Sequence, residues 1–132
     1  MSSDGPFLDA AAAIGRRIAS DAVWYDGCCN WVGAVAEPVM PHRAELTALG
    51  PDLYGGTAGV GLFLAHLTAV TADPTARRTA VGALRHAVRH AVPRDGFHSG
   101  SLGITWAATR AAALLDEAVS YTHLTLPTTP YV

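Results

Sequence analysis

Two glycine turns set 44 residues apart, Gly56 to Gly100, constrain this chain more than any other feature. The first reads Gly55-Gly56-Thr57-Ala58-Gly59-Val60 and the second Ser99-Gly100-Ser101-Leu102-Gly103-Ile104, aligning without a gap. Each is a G-x-x-G turn closed by a β-branched residue and followed by a largely apolar segment. A period in the forties indicates one helix pair per unit, stacked as an α-solenoid or closed into an α/α ring. Gly56, Gly59, Gly100 and Gly103 are therefore read as structural turn residues. The first glycine of each copy is expected to supply freedom for a sharp reversal. The second, lacking a Cβ, should let a neighbouring helix approach closely.

A glycine-rich loop that opens a helix can also cradle a phosphate. Here Gly59-Val60-Gly61 begins a G-x-G-x-x-G pattern, but Leu64 stands where its last glycine should be. No strand precedes the loop and no G-K-[ST] follows, so nucleotide binding is not supported. An RNA-binding module built on G-x-x-G needs strands and a basic surface. The formal net charge of −2 argues against nucleic acid as a partner.

The flanking segments read as helices. Phe7, Leu8, Ala11, Ile14, Ile18 and Ala22 recur at helical spacing on an amphipathic first helix. Residues 27–51, punctuated by Gly33, Pro38, Pro41, Gly50 and Pro51, read as irregular. A buried second helix is expected over 59–72, apolar around most of its circumference. Asp73 as N-cap and Pro74 at the first helical position start a third. Its apolar stripe runs Ala80, Val81, Leu84, Ala87, Val88 and Ala91, with Arg77, Arg78, Arg85 and Arg89 opposite. A mostly apolar fourth helix is expected over 102–117. No segment alternates with period two over a useful length, so the expected class is all-α. The order amphipathic, buried, amphipathic, buried suits two concentric layers.

At 132 residues, half of them hydrophobic and 15% charged, the chain is long enough for one domain with a real core. Its start carries Asp4, Asp9, Arg16 and Arg17, which break any signal-peptide core, and no run approaches the length of a membrane span. Adjacent Cys28 and Cys29 cannot close an ordinary disulfide loop, and a cytoplasmic location is expected. Residues 119–132 differ from all that precede them: no Ala, Gly or Arg, and four Thr. Val119 to Thr128 is similar to the in-frame translation of a transposase-based sequencing-library adapter. Residues 119–132 are therefore expected not to be native, and residues 1–118 to be the natural text.

The paired motifs "LGPDLYGGTAGVGLFLAHL" and "DGFHSGSLGITWA", with the opening segment "AAAIGRRIASDAVW…CNWVGA", resemble the first two repeats of the lanthionine synthetase C-like cyclases. The resemblance covers about residues 7–118. It implies a partial α/α toroid, the first two helical hairpins of a seven-hairpin ring. It also implies a zinc-dependent parent enzyme that adds the cysteine thiols of a precursor peptide to dehydroalanine or dehydrobutyrine. Zinc suits that chemistry because it lowers a thiol's pKa and keeps one coordination position open. The family's zinc ligands, a Cys and then a Cys-His pair, lie in late repeats and have no counterpart here. As two turns of seven, the chain is expected to lack zinc, catalytic residues and activity. Asp52 sits four residues before Gly56, at the offset of a family aspartate, but in the wrong repeat.

The remaining candidates are read as follows. His86 and His90 share a face with Arg85 and Arg89 and are expected on a solvated outer surface. His66 is expected as a hydrogen-bonded core histidine, and Trp24, Trp31 and Trp106 as core. Cys28 and Cys29 are expected as ordinary thiols, not a metal pair. His98 stands at the mouth of the second turn, where an α/α ring collects its ligands, and is the candidate peptide contact. Two other functions compete: a non-catalytic peptide- or protein-binding scaffold of the same family, and a carbohydrate-active α/α toroid. The last would need paired carboxylates, and few acidic residues lie near the turns.

Overall fold

The structure, a computed structural model, describes residues 5–36, 44–91, 96–98 and 100–118. The atypical segment 119–132 lies outside the described residues. Four helices carry most of the fold: α1 (Gly5–Asp21), α2 (Thr57–Thr71), α3 (Pro74–Arg89) and α4 (Ser101–Ala118). Each lies within a few residues of its expected bounds. Asp73 caps α3 as expected, its carboxylate accepting from the Thr75 N–H at 2.9 Å, with Pro74 in the first turn. No helix among the described residues is long and apolar enough to cross a membrane.

The core forms where α2 packs on both α3 and α4. Leu64, Ala65 and Leu67 of α2 meet Ala80, Ala83 and Leu84 of α3 and Ala111, Leu114 and Leu115 of α4. Each fully buried leucine contributes about 1.5–3 kcal/mol. Alanine-rich faces bring the axes close, and Gly61 brings them closer: a Cβ there would lie 2.7 Å from Leu84 Cγ. The amphipathic α1 docks through Gly15, its one buried residue, against Leu67. Ala11, Ile18 and Ala22 border the core, whereas Phe7 and Ile14 face outward. The expected apolar stripe of α1 is thus only partly covered.

The chain is mostly helical but not all-α. Two antiparallel hairpins form, β1 (Val23–Tyr25) with β2 (Cys28–Asn30) and β3 (Val32–Ala36) with β4 (Ala44–Ala48), and all of these strands but β1 lie within residues 27–51, the segment expected to be irregular. Three-residue strands are too short to show a period-two pattern. The first hairpin is set by its turn: Asp26 and Gly27 have φ of 53° and 78°, the two positive values that a two-residue type I′ connection requires. It pairs Trp24 with Cys29 and lies on α3. The Trp24 ring occupies the space over Gly82, where a Cβ would come within 2.6 Å of it. The Arg78 guanidinium lies 3.9 Å from the centre of the same ring.

Candidate functional site

The two turns recur in three dimensions. A Cβ on Gly59 would collide with the Leu53 carbonyl, and one on Gly103 with the Phe97 carbonyl. Leu53 and Phe97 occupy the same place in the two copies. The helices start at matching residues, Thr57 and Ser101, and their first bonds match: Val60 N–H to Gly56 C=O at 3.3 Å, Ile104 N–H to Gly100 C=O at 3.4 Å.

These glycines act through space, and the sequence reading needs correcting at Gly56, Gly59 and Gly103. Gly56 has φ −126°, ordinary extended backbone, so no special freedom is used there. A side chain at Gly56 would instead strike the Gly50 carbonyl and Asp52. At Gly59 and Gly103 the close neighbour is the chain of the preceding turn, not another helix. Asp52 belongs to this framework, its carboxylate accepting from the Gly55 N–H at 3.4 Å. Gly50 C=O accepts from the Thr57 N–H at 2.8 Å and closes the loop.

The turns also bind each other. Tyr54 N–H donates to His98 C=O at 2.8 Å, and these two residues are equivalent positions of the repeat. Their rings meet edge to face at 6.2 Å. His98 is exposed at the turn mouth, against Phe97 at 5.4 Å, and Phe97 in turn lies 5.6 Å from Trp106. Tyr54 is 83% exposed, Phe97 42% and Trp106 47%. The mouth therefore presents an aromatic patch to solvent, and Trp106 is not the core residue expected. Aromatic rings with a polar edge suit contact with a peptide. Beside the first turn a cleft of about 470 Å³ opens between Ile14 and Ile18 of α1 and Val60 and Phe63 of α2.

A second polar centre, absent from the sequence reading, lies behind the first turn. His86 is half-buried, not solvated: Nδ1 is 2.8 Å from Thr57 Oγ1 and Nε2 is 3.2 Å from Asn30 Nδ2. Asn30 Oδ1 accepts from the Trp31 N–H at 2.6 Å, and Asn30 Nδ2 also donates to Leu49 C=O at 3.0 Å. With Asn30 so fixed, His86 Nε2 must accept and Nδ1–H must donate, which is the neutral tautomer. Burial, and then the stacked His90 ring 4.4 Å away, hold its pKa below the ordinary 6.5. The network ties the β1–β2 hairpin to the turn that starts α2. His66, expected in the core, is exposed.

Cys28 and Cys29 are buried free thiols, as expected. Burial pushes the Cys29 thiol up to about 12, the nearby Cys28 adding to the effect, and its Sγ donates to Thr79 C=O at 3.4 Å. Such a thiol is a packed hydrophobe, not a nucleophile. Among the described residues no three His, Cys, Asp or Glu side chains converge as a metal site would need, so these residues do not fit a zinc ion. No protein-family model, curated protein or solved structure matches the chain.

Two outcomes follow from these contacts. Gly59→Ala and Gly103→Ala should each lower stability by about 1–3 kcal/mol in urea unfolding, because a backbone carbonyl has to move. Gly55→Ala, with nothing within 4 Å of its Cβ position, should stay within about 0.5 kcal/mol. Equal effects at the three positions would refute the steric account. The second outcome concerns His86. The unfolded chain takes up a proton near 6.5 and the folded chain only at lower pH, so the unfolded state binds more protons between the two values. Stability should be full above that window, fall as pH drops through it, and level off below the folded value. Denaturation midpoints from about pH 7.5 to 5 should show this slope, and His86→Gln should flatten it.

Proposed function

We propose that this chain supplies the first two helical hairpins of a lanthionine synthetase C-like ring. In this reading α2 and α4 belong to the inner layer of a partial α/α toroid, with α1 and α3 outside. The carrying observation is the equivalence of the two turns: matching helix starts, the same carbonyl over the second glycine, and a hydrogen bond between equivalent residues. The packing of α2 on both α4 and α3 agrees with that layer order.

The parent protein is then a peptide cyclase in which a cysteine thiol adds to a dehydroalanine or dehydrobutyrine and closes a thioether ring. Zinc would supply the thiol activation, and its ligands belong to later repeats of the parent. The described residues contribute the framework and, at the turn mouths, His98 with Tyr54 and Trp106 as contacts for the precursor peptide. On this reading the 132-residue chain alone is inactive. A second reading, a non-catalytic peptide-binding ring of the same family, is favoured by the exposed aromatic patch, which binds without a metal.

Reading the genomic locus through codon 118 and beyond tests both. A parent cyclase requires the reading frame to leave the residue 119–132 sequence, continue with further G-x-x-G turns, and reach a Cys and then a Cys-His pair. Continued turns without those ligands would select the scaffold. A locus that encodes residues 119–132 as they stand, with no further turns, would refute the family reading.

A further inference from the structure

The strongest unassigned feature is a stripe on α4 that is bare where its counterpart on α2 is covered. Leu102, Trp106, Thr109 and Ala113 follow one another at helical spacing along one side of α4, and all four are exposed, Leu102 at 59%. The 44-residue repeat places them at Ala58, Leu62, Ala65 and Ala69 of α2. There the same side is covered: Ala58 and Ala65 are fully buried, and Leu62 and Ala69 partly so. Ala58 and Leu62 pack with Ala87 of α3 and with Ile104 and Ala107 of α4.

The other half of that contact also has an uncovered counterpart. Ile104 and Ala107 of α4 correspond to Val60 and Phe63 of α2. Val60 and Phe63 are only half-buried, and with Ile14 and Ile18 of α1 they line the open cleft of about 470 Å³ beside the first turn. Ile14 is 54% exposed. The chain therefore presents both surfaces of its own internal α2–α4 contact a second time, unused, one on α4 and one on the α1–α2 side. None of the residues named on either surface is ionisable, so like charge does not oppose a second copy there.

We propose that a second copy of this chain seats on these surfaces, head to tail. Leu102 and Trp106 on α4 of one copy pack against Val60 and Phe63 on α2 of the next, with Ile14 and Ile18 flanking. The contact repeats the interior packing with α4 in the role of α2 and the next copy's α2 in the role of α4. Leu102 and Trp106 are larger than the Ala58 and Leu62 they correspond to, and the cleft has room for them. Covering this apolar area removes it from water, which drives the association. Because the two surfaces differ, each added copy leaves one of each kind free, and association does not stop at two. Trp106 belongs to the contact, so association and the peptide contact proposed for that ring exclude each other. The inference rests on the repeat alone and not on the cyclase reading.

Sedimentation velocity of the full 132-residue chain, from about 10 μM to 1 mM, tests it. A concentration-dependent series that passes beyond the dimer is expected. Leu102→Asp blocks the α4 surface, and near a helix N-terminus the added carboxylate favours the helix. Ile14→Asp, also at an exposed position, blocks the α1–α2 surface. Each variant alone should associate about tenfold more weakly or worse, since a charge would be desolvated in the contact. Mixed one to one, the two should form a dimer and nothing larger, because each supplies the surface the other has lost. The unaltered chain gives a readout that needs no variant: a monomer throughout, or a series that ends at a dimer, would overturn the inference. Association that neither substitution weakens, or a mixture that stays monomeric, would overturn it as well.

Discussion

The architecture depends on two carbonyl groups that occupy space every residue but glycine would fill. Leu53 C=O lies against Gly59, and Phe97 C=O lies against Gly103. Each contact folds the turn back onto the first coil of the helix that follows. That fixes where α2 and α4 begin and lets the two turns meet through Tyr54 and His98. A side chain at either glycine would push the turn outward and separate the helix starts. The alanine-rich core between α2, α3 and α4 adds the apolar stabilisation, but the turns set the register in which those faces meet.

The β1–β2 hairpin is the second constraint. It rests on α3 because Gly82 leaves room for Trp24, and it reaches the first turn through Asn30, His86 and Thr57. A neutral histidine is the joint in that path. Its two nitrogens have opposite roles, acceptor toward Asn30 and donor toward Thr57, which a protonated ring cannot fill. The hairpin thus couples α3 to the turn that starts α2.

Much of this was legible in the sequence and some was not, for identifiable reasons. The four helices follow from the 3.6-residue spacing of apolar positions and from the Asp73-Pro74 cap, both local signals. The repeat was legible because both copies keep Gly-x-x-Gly, but the way the glycines work was not. A sequence records that no Cβ is present, not which atom takes its place. The hairpins were missed although Asp26-Gly27 between Val23-Trp24-Tyr25 and Cys28-Cys29-Asn30 is a strong two-residue hairpin signal. Surrounding glycines and prolines masked it. His86 and His66 were exchanged in role because helix phase alone does not reveal what covers a face. The β1–β2 hairpin and the first turn cover His86, while His66 is exposed.

If the two turns are one structural unit repeated and paired, the Tyr54 amide is where that pairing is read most directly. Its side chain is exposed, and its N–H donates to the His98 carbonyl of the second turn. Hydrogen–deuterium exchange resolved at Tyr54 should show protection on the order of a hundredfold over an unstructured peptide. Exchange at the unprotected rate, with the α2 core amides still protected, would contradict the pairing and with it the repeat-based account of the fold.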